Sequence, residues 1–260
     1  MNGKFKASDA HLKIDFQDLE RRRAHEFSGV WNETLNAVFA DVAPYYDAAS
    51  NFASLGMYRR WLRRFVADIV LKSGDRVLDL CAGTNGIGIE LLRNEPDIVA
   101  FAMDRSAAME AEGRRRAGVA GFTINSIIGD AHALPFPDGC FDIVTLQFAS
   151  RHLKIMNVAS EVLRVLKPGG KFHHSDILRP TSKLIEAIYG TYLKACVSVT
   201  ALAFKSGPEA QSCRDYFVRA VKMFYSPDEF SLMLRKVGFT DVSYRSAISG
   251  GLARHRAVRP

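Results

Sequence analysis

Val77-Leu78-Asp79-Leu80-Cys81-Ala82-Gly83-Thr84-Asn85-Gly86 decides the reading of this chain. A short apolar run ends in a loop of small residues. The spacing predicts a strand over 75–80, a loop over 81–86 and a helix onward through Leu92. Small residues there let backbone approach a ligand closely. Only Gly83 and Gly86 are glycines, so the match to a GxGxxG loop is weak. Asn85 can take the left-handed conformation that glycine usually supplies. Read alone, the segment serves equally well as a tight turn or as a cofactor loop.

Moving outward, Asp104 ends a second apolar run at 98–103, about 20 residues after the loop. A carboxylate in that place can accept both ribose hydroxyls of a nucleoside. Gly129-Asp130-Ala131 follows a third run at 123–128, where an aspartate can accept from an adenine amino group. Three loops at the ends of three neighbouring strands specify a nucleoside site better than any one of them. A dinucleotide needs its pyrophosphate at a helix N-terminus, and this loop offers it a poor place. S-adenosylmethionine (SAM) has no phosphate, so the loop favours SAM.

The rest of the chain alternates strand and helix. Further strands are predicted over 141–146 and 171–177, with a helix face of Val158, Val162, Leu163 and Leu166 between them. Lys167-Pro168-Gly169-Gly170 is expected to stop that helix. Before the first strand, Met57, Trp61, Phe65 and Ile69 recur every four residues, flanked by Leu62, Val66 and Val70. Arg59, Arg60, Arg63 and Arg64 take the opposite face. Ser226-Pro227-Asp228-Glu229 carries a capping box for a helix that ends at Gly238. Two closing strands follow near 241–245 and 250–258. The expected architecture is α/β, a Rossmann-like class I methyltransferase fold: a seven-stranded, mostly parallel sheet with helices on both faces. Residues 1–28 are expected as an N-terminal arm and 29–260 as one domain. Helical segments at 29–71 and 182–224 are expected to lie over the substrate.

The chain resembles the C-methyltransferases of ubiquinone and menaquinone biosynthesis, the UbiE/COQ5/MenG family. The likeness begins with Val38-Phe39, Val42-Ala43, Tyr46-Asp47, Ser54, Gly56, Arg59 and Trp61. It continues through Val77–Leu80, Gly83-Thr84 and Asp104 with Ser106 and Met109. The stretches 133–138 (ALPFPD), Phe141-Asp142, 165–170 (VLKPGG) and Gly250-Gly251-Leu252-Ala253 with His255-Arg256 complete it. The resemblance implies SAM as cofactor and Thr84, Asp104, Asp130, Ala131 and Gln147 as residues that hold it. Asp79, Gly83, Asn85 and Arg105, beside these, are expected to join them. It also implies that Arg151, His152 and Tyr46 surround the ring to be methylated. The chain departs from the family pattern at His152, which replaces asparagine, and at Asn85, Gly86, Ser50 and Gln147. These departures keep open a second reading, a SAM enzyme acting on another hydrophobic small molecule, including by non-methyl chemistry.

C-methylation of a hydroquinol needs alignment of two centres and loss of a ring-hydroxyl proton. His152 has the ordinary pKa of a base suited to that task, though a histidine satisfied by backbone would look the same in sequence. His173, His174 and Asp176 are unusual for a central strand and are read as polar lining of a substrate pocket; no metal is expected.

The net charge is +7. It suits an anionic membrane surface, a nucleic acid, or plain solubility. RNA methylation ranks last, because no Asp/Asn-Pro-Pro-Tyr segment or appended binding module occurs, and no nucleic-acid partner is expected. Cys81, Cys140, Cys196 and Cys213 lack metal-type spacing and read as reduced thiols. No apolar run is long enough to span a bilayer, and the start of the chain lacks an apolar leader. A cytoplasmic protein is expected, compatible with peripheral contact with the inner membrane surface and with a homodimer.

Overall fold

Apolar strands that must be covered on both faces set the architecture. The computed structural model describes residues 6–7, 14–204, 207 and 213–260. Five parallel strands form the centre: β2 (Arg76–Leu80), β3 (Val99–Asp104), β4 (Asn125–Ile128), β5 (Phe141–Gln147) and β6 (Leu166–Ile177). The closing pair, β7 (Thr240–Ala247) and β8 (Leu252–Val258), is antiparallel, with β8 against β6. The seven expected strands are present, and a two-residue strand β1 (Lys6–Ala7) pairs with β7 at the edge. The order is β1-β7-β8-β6-β5-β2-β3-β4. The order reverses between β2 and β5, so their carboxyl ends flank the crevice where ligands bind in open α/β sheets.

Alternation along the strands divides the core. Leu78, Leu80, Val144 and Leu146 face one side, under α7 (Ile155–Val165) and α10 (Pro227–Val237). Val77 and Ile143 face the other, under α4 (Tyr58–Val66) and α5 (Gly86–Asn94). Each such side chain, fully buried, contributes about 1.5–3 kcal/mol. α6 (Ala107–Val119) lies between β3 and β4. The capping box at Ser226 and Glu229 forms as expected, and Gly238, at φ +122°, ends α10.

A helical cover sits over the strand ends. It comprises α1 (Phe16–Gly29), a π-turn over Val30–Thr34, α2 (Leu35–Val42), α3 (Tyr46–Ala53), α8 (Lys183–Ala203) and α9 (Arg214–Lys222). Phe27, Trp31, Leu35, Val38, Tyr216 and Ala220 form its own core. Within 1–28, residues 1–5 and 8–13 lie outside the described residues. The rest is well anchored, since α1 buries Phe16, Arg23 and Phe27.

Two local readings need correction. The repeat of α4 was expected to carry Val70 inward, but the helix ends at Val66 and Val70 is 66% exposed. Ile69 stays buried through the turn that follows. Lys167-Pro168-Gly169-Gly170 does not stop α7, which already ends at Val165. The segment lies inside β6, where the register against β5 shifts between Phe141 and Ile143. Gly170 is required there, because a Cβ would lie 2.7 Å from the Lys167 carbonyl.

Candidate active site

The loop after β2 turns sharply. Cys81 (φ +51°), Gly83 (φ +53°) and Asn85 (φ +57°) are all left-handed, and across the crevice so is Phe148 (φ +57°) after β5. Non-glycine residues in that region carry strain and persist where their surroundings hold them. The Gly83 N–H donates to Asp104 Oδ2 at 2.9 Å, and the Ser106 N–H to Oδ1 at 2.8 Å. Each Asp104 oxygen therefore keeps a free lone pair. Burial lifts this carboxyl above its usual range, against the pull of those backbone donors. Asp79 is fully enclosed. Thr145 Oγ1 donates to its Oδ1 at 2.6 Å while Oδ2 has no partner among the described residues, and burial raises the carboxyl to about 7.

These groups line a narrow cavity with Gly83, Thr84, Arg105, Gln147, His152 and Tyr46. The cover is tied across it. Thr84 Oγ1 donates to Asp47 of α3 at 2.7 Å, Asp47 pairs with Arg116 of α6, and Arg105 Nη1 donates to the Trp31 carbonyl at 2.9 Å. Three expected cofactor residues stand elsewhere. Asn85 is turned beneath the loop, where its side chain fills the space that a Cβ on Gly113 would take. Asp130 is 66% exposed and accepts from the His132 N–H and ring, which caps its own turn. Ala131 is buried in the main core.

A second cavity of about 600 Å³ adjoins the first and shares Phe39, Tyr46, Tyr58 and Phe148 as its wall. Its lining is almost wholly apolar or aromatic, contributed mostly by α2, α3, α4, α8 and α9, and among the described residues Arg151 is its one charged side chain. Arg151 Nη1 donates to Asp176 and, at 3.0 Å, to the Phe148 carbonyl. Asp176 also accepts from the Ser150 N–H at 2.8 Å, from the Ser150 hydroxyl and from the Ile177 N–H. Burial pushes the Tyr46 hydroxyl up, and the Arg151 charge pulls it back down.

His152 faces the narrow cavity, not the large one. Its Nδ1 lies 2.6 Å from the Tyr216 hydroxyl, and burial first, then the charges of Arg151 and Arg23, hold its pKa well below the usual value. His152, expected as the base, thus stands away from the large cavity, and burial disfavours its charged form. His173 and His174 line neither cavity. His174 stacks on Phe230 at 4.1 Å, lies 3.4 Å from His255 Nδ1, and places Nε2 2.9 Å from Ser150 Oγ. It serves the interior scaffold behind Asp176. Among the described residues no group of three or more His, Cys, Asp or Glu side chains is placed to hold a metal.

The sequence reading missed Asp47, Tyr58, Phe148 and Tyr216. Asp47 had a signal, since it follows Tyr46 in the quoted Tyr-Asp pair. Phe148 and Tyr216 are apolar-face residues whose role depends on packing that spacing does not reveal.

The profile of the ubiE/COQ5 methyltransferase family matches residues 28–259. The demethylmenaquinone methyltransferase of Beutenbergia cavernae is 37% identical over 223 residues, 85% of this chain and 88% of the relative. The ubiquinone/menaquinone biosynthesis C-methyltransferase UbiE of Geobacter sulfurreducens is 34% identical over 222 residues, 84% of this chain and 85% of the relative. Among solved structures, a SAM-dependent methyltransferase of Thermotoga maritima, a possible histamine N-methyltransferase, superposes with TM-score 0.60 at 18% identity. That match covers 86% of this chain and 99% of the other. The cyclase SpnF superposes with TM-score 0.56 at 18% identity, over 87% and 96%. At such identities the two structures speak for the class I methyltransferase fold alone. The family profile and the relatives show more: the chain belongs to the ubiE/COQ5 methyltransferase family.

Proposed function

We propose that this enzyme transfers the methyl group of SAM to a ring carbon of a hydrophobic hydroquinol. The observation that carries the reading is the junction of two unlike cavities at Tyr46, Tyr58, Phe39 and Phe148. One presents carboxylates and amides and the other an apolar wall. The narrow cavity suits SAM by its donors and acceptors. Asp79 Oδ2 and Gln147 Nε2 are buried without partners among the described residues, and Asp104 keeps lone pairs for ribose hydroxyls.

SAM supplies an electrophilic methyl on a sulfonium. Its transfer would exchange the C–S bond for a C–C bond, with a neutral thioether as leaving group and one ring proton passing to solvent. Arg151 cannot take a proton, because a guanidinium stays charged. Held by Asp176, it lowers the pKa of a ring hydroxyl beside it and so raises the electron density of the attacking carbon. The Tyr46, Tyr58 and Phe148 rings set the angle between the two ligands, and alignment of that kind lowers the barrier to an in-line displacement.

The rim of the large cavity supports a lipid-borne substrate. Phe52, Leu55, Leu184, Ile188 and Ile248 are 47–81% exposed around its lining, and Arg59, Arg60 and Arg63 lie exposed on the adjoining helix. Such a patch, edged by basic residues, suits peripheral contact with an anionic bilayer. No helix among the described residues is long and apolar enough to cross one.

A panel of hydroquinols with short and long side chains, set against water-soluble phenols, tests the reading through release of S-adenosylhomocysteine. Turnover that rises with the apolar side chain is expected. Turnover of the polar phenols alone would reject the proposal.

A further inference from the structure

His152 is 7% exposed and clamped from several directions. The Arg23 guanidinium, on α1, donates to the carbonyls on either side of it, Arg151 at 3.0 Å and Leu153 at 3.3 Å. Phe39 and Phe217 meet its ring edge to face at 6.1 and 5.6 Å.

The protons of the neighbouring groups fix its tautomer. Trp31 Nε1 can only donate, and it donates to the Tyr216 hydroxyl at 2.9 Å. The single Tyr216 proton then has one acceptor in reach among the described residues, His152 Nδ1 at 2.6 Å. With Nδ1 accepting, the proton of the neutral ring sits on Nε2. That Nε2 is buried and without a partner among the described residues, on a residue that lines the narrow cavity. A buried donor left unpaired costs free energy that a ligand acceptor recovers.

We infer that His152 is a fixed neutral donor whose Nε2–H hydrogen-bonds an oxygen acceptor of the bound ligand, oriented by the relay from Trp31 through Tyr216. The acceptor is a carboxylate oxygen of the cofactor or a ring oxygen of the methyl acceptor, two sources of the same chemistry. The inference rests on the proposed methyl-transfer site and deepens it. Tyr216 and Trp31 are positioning residues, acting only through the imidazole.

Nitrogen NMR of the protein labelled at histidine reads the tautomer directly. A bare Nδ1 and a protonated Nε2, unchanged through neutral pH and with Nε2 moving on ligand addition, are expected. Binding of S-adenosylhomocysteine and of a non-reactive quinone, each measured by calorimetry, separates the two sources. His152→Leu is expected to lose roughly tenfold affinity for one of them. His152→Asn, which keeps an amide donor, recovers part of the loss. Tyr216→Phe weakens the same ligand in wild type but not in the His152→Leu background. A proton found on Nδ1, an imidazolium at neutral pH, or His152→Leu binding both ligands as wild type does would overturn the inference. The tautomer and the cofactor arm do not depend on any quinol being methylated, so failure of the proposed substrate is read separately.

Discussion

At the scale of single residues, two carboxylates stand out at the site, Asp79 buried and Asp104 half-buried. Asp79 has an ordinary value of 3.8 and is raised to about 7 by burial. Its raised pKa is a cost to folding that is absent below the unfolded value and grows as pH rises from there to about 7. A cationic ligand needs the ionised form, so protons compete with it. Affinity for S-adenosylhomocysteine, whose amino group is charged, is predicted to be level above pH 7 and to fall by up to about tenfold per unit below it. Calorimetry across that range should show the slope, and Asp79→Asn should flatten it. Asp104 holds Gly83 and Ser106 as well as facing the cavity, so Asp104→Ala confounds loop stability with binding. We predict a loss of about 2–4 kcal/mol in cofactor-product affinity for Ala. Asp104→Asn, which retains one oxygen but turns an NH2 toward one of those backbone donors, should lose less affinity than Ala and melt below wild type. Equal affinity in all three proteins would remove Asp104 from the site. The residues legible in the sequence were those whose chemistry is tied to a strand end: Asp79, Gly83, Thr84, Asp104, Arg105 and Gln147. Asn85, Asp130 and Ala131 sit at the right chain positions yet face elsewhere. A left-handed turn and a local cap choose their direction, and neither is a matter of spacing.

At the scale of elements, α1 shows how much the cover contributes. Its Arg23 is entirely buried, pairs with Glu20, lies 4.7 Å over the Phe224 ring and clamps the Arg151–Leu153 backbone. Nothing in Arg21-Arg22-Arg23 marks the third arginine as interior, since only the packing against α9 and the loop after β5 distinguishes it from its exposed neighbours. Arg23→Met would take the cationic partner from Glu20, leaving it the Tyr225 hydroxyl, and the Arg23 donor from two carbonyls. We predict a destabilisation of about 3–5 kcal/mol, measured as a lower urea midpoint at pH 7. A variant as stable as wild type would show that α1 is a loosely attached arm after all. The β–α alternation was legible throughout, because apolar runs and helix periods differ sharply. The ends of elements were not: α4 ends at a tertiary turn ahead of Val70, and the Pro-Gly-Gly run is absorbed into a bulged strand.

At the scale of the whole molecule, an ordinary class I sheet supports a cover that divides the space above it into a polar and an apolar chamber. The +7 charge is spread over the chain, but the cavity rim concentrates exposed apolar side chains beside Arg59, Arg60 and Arg63. Sedimentation with anionic vesicles is predicted to pull the protein down at low salt and release it at high salt. Leu55→Asp with Ile188→Asp should abolish it, whereas binding that these changes leave untouched would locate the contact elsewhere. The sequence carried the family and the cofactor, but the separation of the two chambers depends on helices far apart in the chain meeting at Tyr46 and Phe148. Whether those chambers bring a sulfonium methyl to a ring carbon is read by following an isotopically labelled methyl carbon of SAM into product by NMR. The label is expected on a ring carbon of the hydroquinol, with one S-adenosylhomocysteine released per product. A label on oxygen, or conversion of the substrate with SAM left intact, would contradict that expectation.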